Sequence, residues 1–146
     1  MKFLTGSRSA VGRPTTVIYA PVLEHAILDG IRAGHVFVDV EGTKDRTIEF
    51  EAKTDSSTAS MGDSINSPAG QQIHFTVRMI ALQGANLEII QDGQSTALID
   101  KSASSKVDET RGFDYVSDGK RHWFRVNVRS ADGSLLIVGN PIYLNF

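Results

Sequence analysis

Four histidines, His25, His35, His74 and His122, are the first residues to weigh for chemistry. An imidazole moves protons near neutral pH and is the commonest metal ligand. His25 and Asp29 are four apart, a spacing that brings two side chains together on one helix face. Two ligands fall short of the three or four that a zinc site uses, so a solvated face is the commoner outcome. His35 and Asp39 share one strand face on either side of Phe37. At about 3.3 Å per residue their Cα atoms are about 13 Å apart, too far to grip one ion. His74 and His122 stand alone on alternating segments, where a structural or exposed role is the usual one. No His-x-His or HExxH pattern occurs, and the absence of Cys removes thiol catalysis, thiolate metal sites and disulfides. No GxSxG elbow, phosphate loop or dinucleotide fingerprint is present. Met61-Gly62-Asp63 delivers a carboxylate after a tight turn, which is ordinary turn chemistry.

The single Trp offers more. Arg121, Trp123, Arg125, Asn127 and Arg129 alternate with Phe124, Val126 and Val128 and so share one strand face. A Trp flanked by Arg can stack sugars or bases and bind anions, with Tyr115 or Tyr143 as further rings. The competing reading has the Arg stems packed over the Trp and their charges paired to neighbouring acids. The overall negative charge favours that second reading.

These residues need a frame. After a short Gly/Ser/Arg-rich tail, residues 1–13, Pro14 leads into Thr15-Thr16-Val17-Ile18-Tyr19, a β-branched and aromatic run that reads as a strand. Pro21 suits the first turn of a helix over 22–33, and Gly34 suits its end. Leu23, Ala26, Ile27 and Ile31 form one apolar stripe at helical spacing. From His35 the period becomes two: Val36, Val38 and Val40 alternate with His35, Phe37 and Asp39. The same alternation marks strands around Ile48-Phe50-Ala52 and Ile73-Phe75-Val77-Met79. Leu87 to Ile90, then Ala97-Leu98-Ile99 after an Asp92-Gly93 turn, read as further strands. Residues 122–128, 135–138 and 142–146 complete the set, with turn signals at Asp132-Gly133 and Asn140-Pro141. Residues 53–66 and 101–120 read as loops, the second anchored only by Phe113 and Tyr115. The pattern predicts a mainly β protein, an antiparallel β-sandwich of about eight strands with one N-terminal α-helix.

The chain has 146 residues, 40% hydrophobic, a size and composition that suit one packed domain. Its net charge of -2 argues against nucleic-acid and polybasic membrane partners. No run approaches the roughly 20 apolar residues of a membrane span. Met1-Lys2-Phe3-Leu4 turns polar at Thr5-Gly6-Ser7-Arg8, too soon for an export signal. The expectation is a soluble chain without a signal peptide, its compartment open.

Several stretches together resemble one arrangement. Gly12-Arg13-Pro14-Thr15-Thr16-Val17-Ile18-Tyr19-Ala20 is followed by Ala26-Ile27-Leu28-Asp29-Gly30-Ile31-Arg32-Ala33-Gly34-His35-Val36-Phe37-Val38. Then come Met61-Gly62-Asp63, Ile90-Gln91-Asp92-Gly93, Trp123-Phe124-Arg125-Val126 and Asn140-Pro141-Ile142-Tyr143-Leu144. In order and spacing this series resembles the C-terminal region of PHP-type (polymerase and histidinol phosphatase) metallohydrolases, in the carbaryl-hydrolase-like branch. The resemblance implies that 14–34 correspond to the last strand and helix of a catalytic barrel and 35–146 to an appended β-sandwich. The family's metal ligands belong to the upstream barrel, so the resemblance implies no cofactor here and a divalent metal in the missing catalytic domain.

The leading expectation is therefore a non-catalytic accessory domain of a PHP-like metal-dependent hydrolase, packing against a catalytic domain of the same parent chain. Val17, Tyr19 and Phe37 are the candidate contact residues for that partner. The alternative is a carbohydrate- or polymer-binding module using the face of Arg121, Trp123 and Arg125. A homo-oligomer, formed by self-pairing of the leftover helix surface, is the third.

Overall fold

The computed structural model describes residues 13–20 and 24–146. The expected tail, apart from Arg13, and the positions Pro21, Val22 and Leu23 at the start of the helix lie outside them. The described residues form one helix and twelve strands in two sheets, a mainly β, sandwich-like domain.

The larger sheet contains β1 (Thr15–Ile18), β2 (Val36–Asp39), β5 (Ser64–Ile65), β7 (Asn86–Gln91), β8 (Gln94–Ser95), β10 (His122–Arg129), β11 (Leu135–Gly139) and β12 (Ile142–Leu144). The smaller sheet runs β4 (Thr58–Ser60), β3 (Thr47–Lys53), β6 (Gln72–Ile80), β9 (Asp108–Val116). Strand β10 organises the larger sheet. One of its edges carries β7 from Phe124 to Arg129. The other carries β12 and β11 end to end, Trp123 opposite Tyr143 and Val128 opposite Ile137. The break between β11 and β12 falls at Asn140-Pro141, where proline has no N–H for a ladder. Beyond β11 lie β2 and then β1, and beyond β12 lies β5, the parallel pair in an otherwise antiparallel set.

Between the sheets, the inward rows meet as an aromatic cluster. Phe75 stacks on Phe113 at 4.8 Å and lies 4.8 Å from Phe124 of the facing sheet. Phe50 is 5.6 Å from Phe75 on the other side. All four are buried, and Ile48, Val77, Ile89, Val126 and Ile142 fill the space around them. Burying an aromatic or branched side chain contributes about 1.5–3 kcal/mol, so this two-sheet interior is the main source of stability.

Four expectations are corrected. Residues 101–120 contain β9, nine residues paired with β6 from Asp108 opposite Ile80 to Val116 opposite Gln72. Asp, Glu and Gly are poor strand formers, but the long ladder overrides local preference. Its inward row is half polar, with Glu109 and Arg111 paired at 2.7 Å and largely covered. Residues 53–66 likewise hold the short strands β4 and β5. In the opposite direction, Ala97, Leu98 and Ile99 are not a strand; β8 stops at Ser95 after the Asp92-Gly93 turn. Phe37 is not available surface. It is 1% exposed, 5.9 Å from the Tyr19 ring, because the β2 face carrying Phe37 and Asp39 is the one turned inward.

Helix α1 (Glu24–Ala33) ends where expected, with Gly34 at φ 75°. Its last turn is pinned to the sandwich. Asn140 Nδ2 donates to the Gly34 carbonyl at 2.8 Å. A Cβ on Gly62 would lie 2.2 Å from the Ala33 carbonyl, so only glycine allows this approach.

Candidate functional site

Three surfaces hold the residues that sequence reasoning singled out. The first is α1. Gly30 is the buried residue of the helix, and a Cβ there would meet Ile18 Cγ2 at 2.9 Å. Contact through a glycine leaves the larger side chains pointing away. Ile27, Leu28 and Ile31 are 41%, 48% and 50% exposed. They are three and four residues apart, one continuous apolar face on the helix surface. Of the expected stripe, Leu23 lies outside the described residues and Ala26 is half-buried; Ile27 and Ile31, with Leu28 in place of those two, are left exposed by the sandwich. Of the other candidate contact residues, Val17 and Tyr19 are half-buried against the interior. Burial and then the nearby Glu49 charge push the Tyr19 phenol up to about 12, so it stays protonated and donates to the Ile48 carbonyl.

The second is a cleft of about 210 Å3 between the sheet edges, lined by Tyr19, His35, Glu49, Phe50, Glu51, Ser60 and Met61. At its mouth His35 Nε2 lies 2.9 Å from Asp63 Oδ1, while Asp63 Oδ2 accepts the Ser60 N–H at 2.8 Å. Asp63, the carboxylate of the Met61-Gly62-Asp63 turn, thus ties the start of β2 to the β4–β5 connection. Among the described residues no hydroxyl is hydrogen-bonded to His35.

The remaining histidines behave alike. His74 Nδ1 is 2.7 Å from Asp114 across the outer face of the smaller sheet. His122 lies between two carboxylates, Nδ1 2.5 Å from Asp92 and Nε2 3.0 Å from Asp118. Both ring nitrogens must donate, which only the imidazolium can do. The hydrogen bond to Asp92, opposed by partial burial and reinforced by Asp118, holds the His122 pKa above 6.5. His25 is exposed, and Asp29 pairs with Arg32 instead at 3.3 Å. Asp39, expected on the strand face of His35, is fully buried. Its carboxylate accepts the N–H groups of Glu41, Thr43 and Lys44 and the Thr43 hydroxyl. Burial opposes its ionisation, but these donors outweigh it and lower its pKa. Among the described residues no three His, Asp or Glu side chains gather as a metal site would require. Three of the histidine–aspartate pairs join residues 28, 40 and 30 positions apart, which no local spacing announces; His122 and Asp118 are four apart.

The third surface is the outer face of β10. The five residues expected there do share a face, and the structure divides them. Arg129 is paired to Glu88 at 3.0 Å and donates to the Gly133 carbonyl, while Asn127 is buried. Arg121, Trp123 and Arg125 form the other half. The Arg125 guanidinium lies 5.8 Å from the Trp123 ring and the Arg121 guanidinium 5.5 Å from the Phe146 ring. Tyr143 is opposite Trp123 and 5.3 Å from Phe146. Tyr115 is elsewhere: it projects from the smaller sheet onto Phe124, 4.9 Å away. Phe146 is absent from the sequence reading because strand alternation would put it beside buried Leu144. The positive φ of Asn145, 60°, breaks the alternation and turns Phe146 outward.

The architecture defines a mainly β protein with an antiparallel sandwich-like core and one appended helix. No protein-family model matches the chain, and no curated protein matches it either. Among the described residues no helix is long and apolar enough to cross a membrane.

Proposed function

We propose that this chain is a non-catalytic accessory domain that docks through α1 onto a catalytic domain of the same parent protein. One observation carries the reading: Ile27, Leu28 and Ile31 form a bare apolar face on a helix held to the sandwich by a glycine. A helix stabilised only by its own domain turns its apolar stripe inward. Here the stripe faces outward, which suits a second surface packed on the far side of the helix. Sequence resemblance supplies the kind of partner, a PHP-type metal-dependent hydrolase barrel acting on an ester, with the ion held in that barrel. The partner contact assigned to Phe37 moves to Ile27, Leu28 and Ile31, since Phe37 is interior.

A PHP-type hydrolase barrel, produced separately, is the partner to test. Titrated with this chain in an isothermal calorimeter, it should bind, and an Ile27→Asp, Ile31→Asp double variant should abolish the heat. The isolated chain should hydrolyse neither phosphodiester nor carboxyl-ester substrates with added manganese or zinc. Robust turnover lost on chelation, or a barrel that binds the double variant equally well, would overturn the reading.

A further inference from the structure

We infer that the outer face of β10 and β12 is a binding surface for an acidic polysaccharide in which charged and uncharged sugars alternate. The argument begins with how the arginines are used. Arg32, Arg46, Arg78, Arg111 and Arg129 each pair with a carboxylate. Arg121 and Arg125 have no ion pair among the described residues and lie against aromatic rings instead. The Nε of Arg125 is sealed from solvent without a hydrogen-bond partner. That sealed Nε is out of a ligand's reach, but a guanidinium without an ion pair offers its terminal N–H groups as a rigid fork to carboxylate or sulfate. On β7 and the turn after it, Asp92 is committed to His122 and Glu88 to Arg129.

Between the two cations lies aromatic surface. Trp123 and Tyr143 are a cross-strand pair, and Phe146, 57% exposed, extends the row past Tyr143. Such rings offer flat apolar area to the C–H faces of sugar rings. Arg121 and Arg125 are four residues apart on a strand, about 13 Å between Cα atoms. The two guanidiniums rest on different rings, Arg121 on Phe146 and Arg125 on Trp123, and so present two separate cationic points to a chain with spaced charges. A polynucleotide carries a charge on every phosphate and binds through dense positive charge, which a chain of net charge -2 does not supply. Sparse cations with neutral rings between them fit a chain of alternating uronate and uncharged sugar units. This surface uses no residue of α1, so it stands or falls apart from the docking role.

Trp123 is the one tryptophan of the chain, so its fluorescence reports directly on the surface. A hyaluronan oligosaccharide should change the emission saturably, and added salt should weaken binding. A neutral chitin oligosaccharide of equal length should bind far less. Arg125→Gln and Arg121→Gln should each weaken binding about ten- to a hundredfold, the loss of a charged hydrogen bond. Arg129→Gln, on the ion-paired half of the strand, should leave it unchanged. Trp123→Phe, followed by calorimetry and checked for folding by circular dichroism, should weaken binding while the domain stays intact. No saturable change, equal binding of the neutral oligosaccharide, tighter binding of single-stranded DNA, or full competition by inorganic phosphate would each overturn the inference.

Discussion

The phenylalanines between the sheets and the apolar residues of α1 are similar in chemistry and opposite in environment. Phe50, Phe75 and Phe124 are at most 1% exposed and belong to one buried cluster. Ile27, Leu28 and Ile31 are 41–50% exposed on a helix that touches its sheet through Gly30. Full burial of such a side chain is worth about 1.5–3 kcal/mol, so the helix forgoes much of what the interior collects. The sandwich therefore contains its own reason to fold. The helix is held by backbone devices at its end, the Asn140 bond to the Gly34 carbonyl and the close approach of Gly62, rather than by its apolar face.

That contrast can be broken at four points. Phe75→Ala should cost about 3–5 kcal/mol of unfolding free energy in urea titration, because it empties the centre of the aromatic cluster. A loss under 1 kcal/mol would mean that the two sheets do not depend on this contact. Asp39→Ala should cost about 1–3 kcal/mol by the same measurement, since the N–H groups of Glu41, Thr43 and Lys44 lose their acceptor. His122 adds a pH term. Its pKa is raised on folding, so the folded state binds more protons than the unfolded chain. The stabilisation is present below pH 6.5 and fades as pH rises through the higher folded value; thermal melts of His122→Gln should lack this decline. Smallest on stability is Ile27→Ser with Ile31→Ser, within about 0.5 kcal/mol of the parent, because little burial is lost. Light scattering on the same variant is the sharper reading. Any self-association of the parent chain should disappear, and a destabilisation like that of Phe75→Ala would show α1 to be part of the interior.

Much of the sandwich was legible in the order of residues, because strand alternation writes burial directly. Ile73, Phe75, Val77 and Met79 point inward as their spacing predicts. Two failures share one cause. β9 has Asp, Glu and Gly where a strand former is expected, and only the nine-residue ladder with β6 makes it a strand. Phe37 shares its face with His35 and Asp39, opposite an all-valine face, and only pairing with β1 and β11 turns the mixed face inward. The shared face of Arg121, Trp123 and Arg125 followed from period two alone. Its third ring did not, because the Asn145 turn that brings Phe146 outward is a backbone event.

The amino-acid sequence by itself determined the mainly β class, the turns at Asp92-Gly93 and Asp132-Gly133, the end of the helix at Gly34 and the face carried by Trp123. Each depends on neighbours a few residues apart, the range over which side-chain period and left-handed glycines act. Only the tertiary structure decided that Arg129 meets Glu88, that His35 meets Asp63 and His122 meets Asp92, and that no described residue covers the apolar side of α1. Those outcomes join residues tens of positions apart, and their energies exist only once two sheets have set the distances.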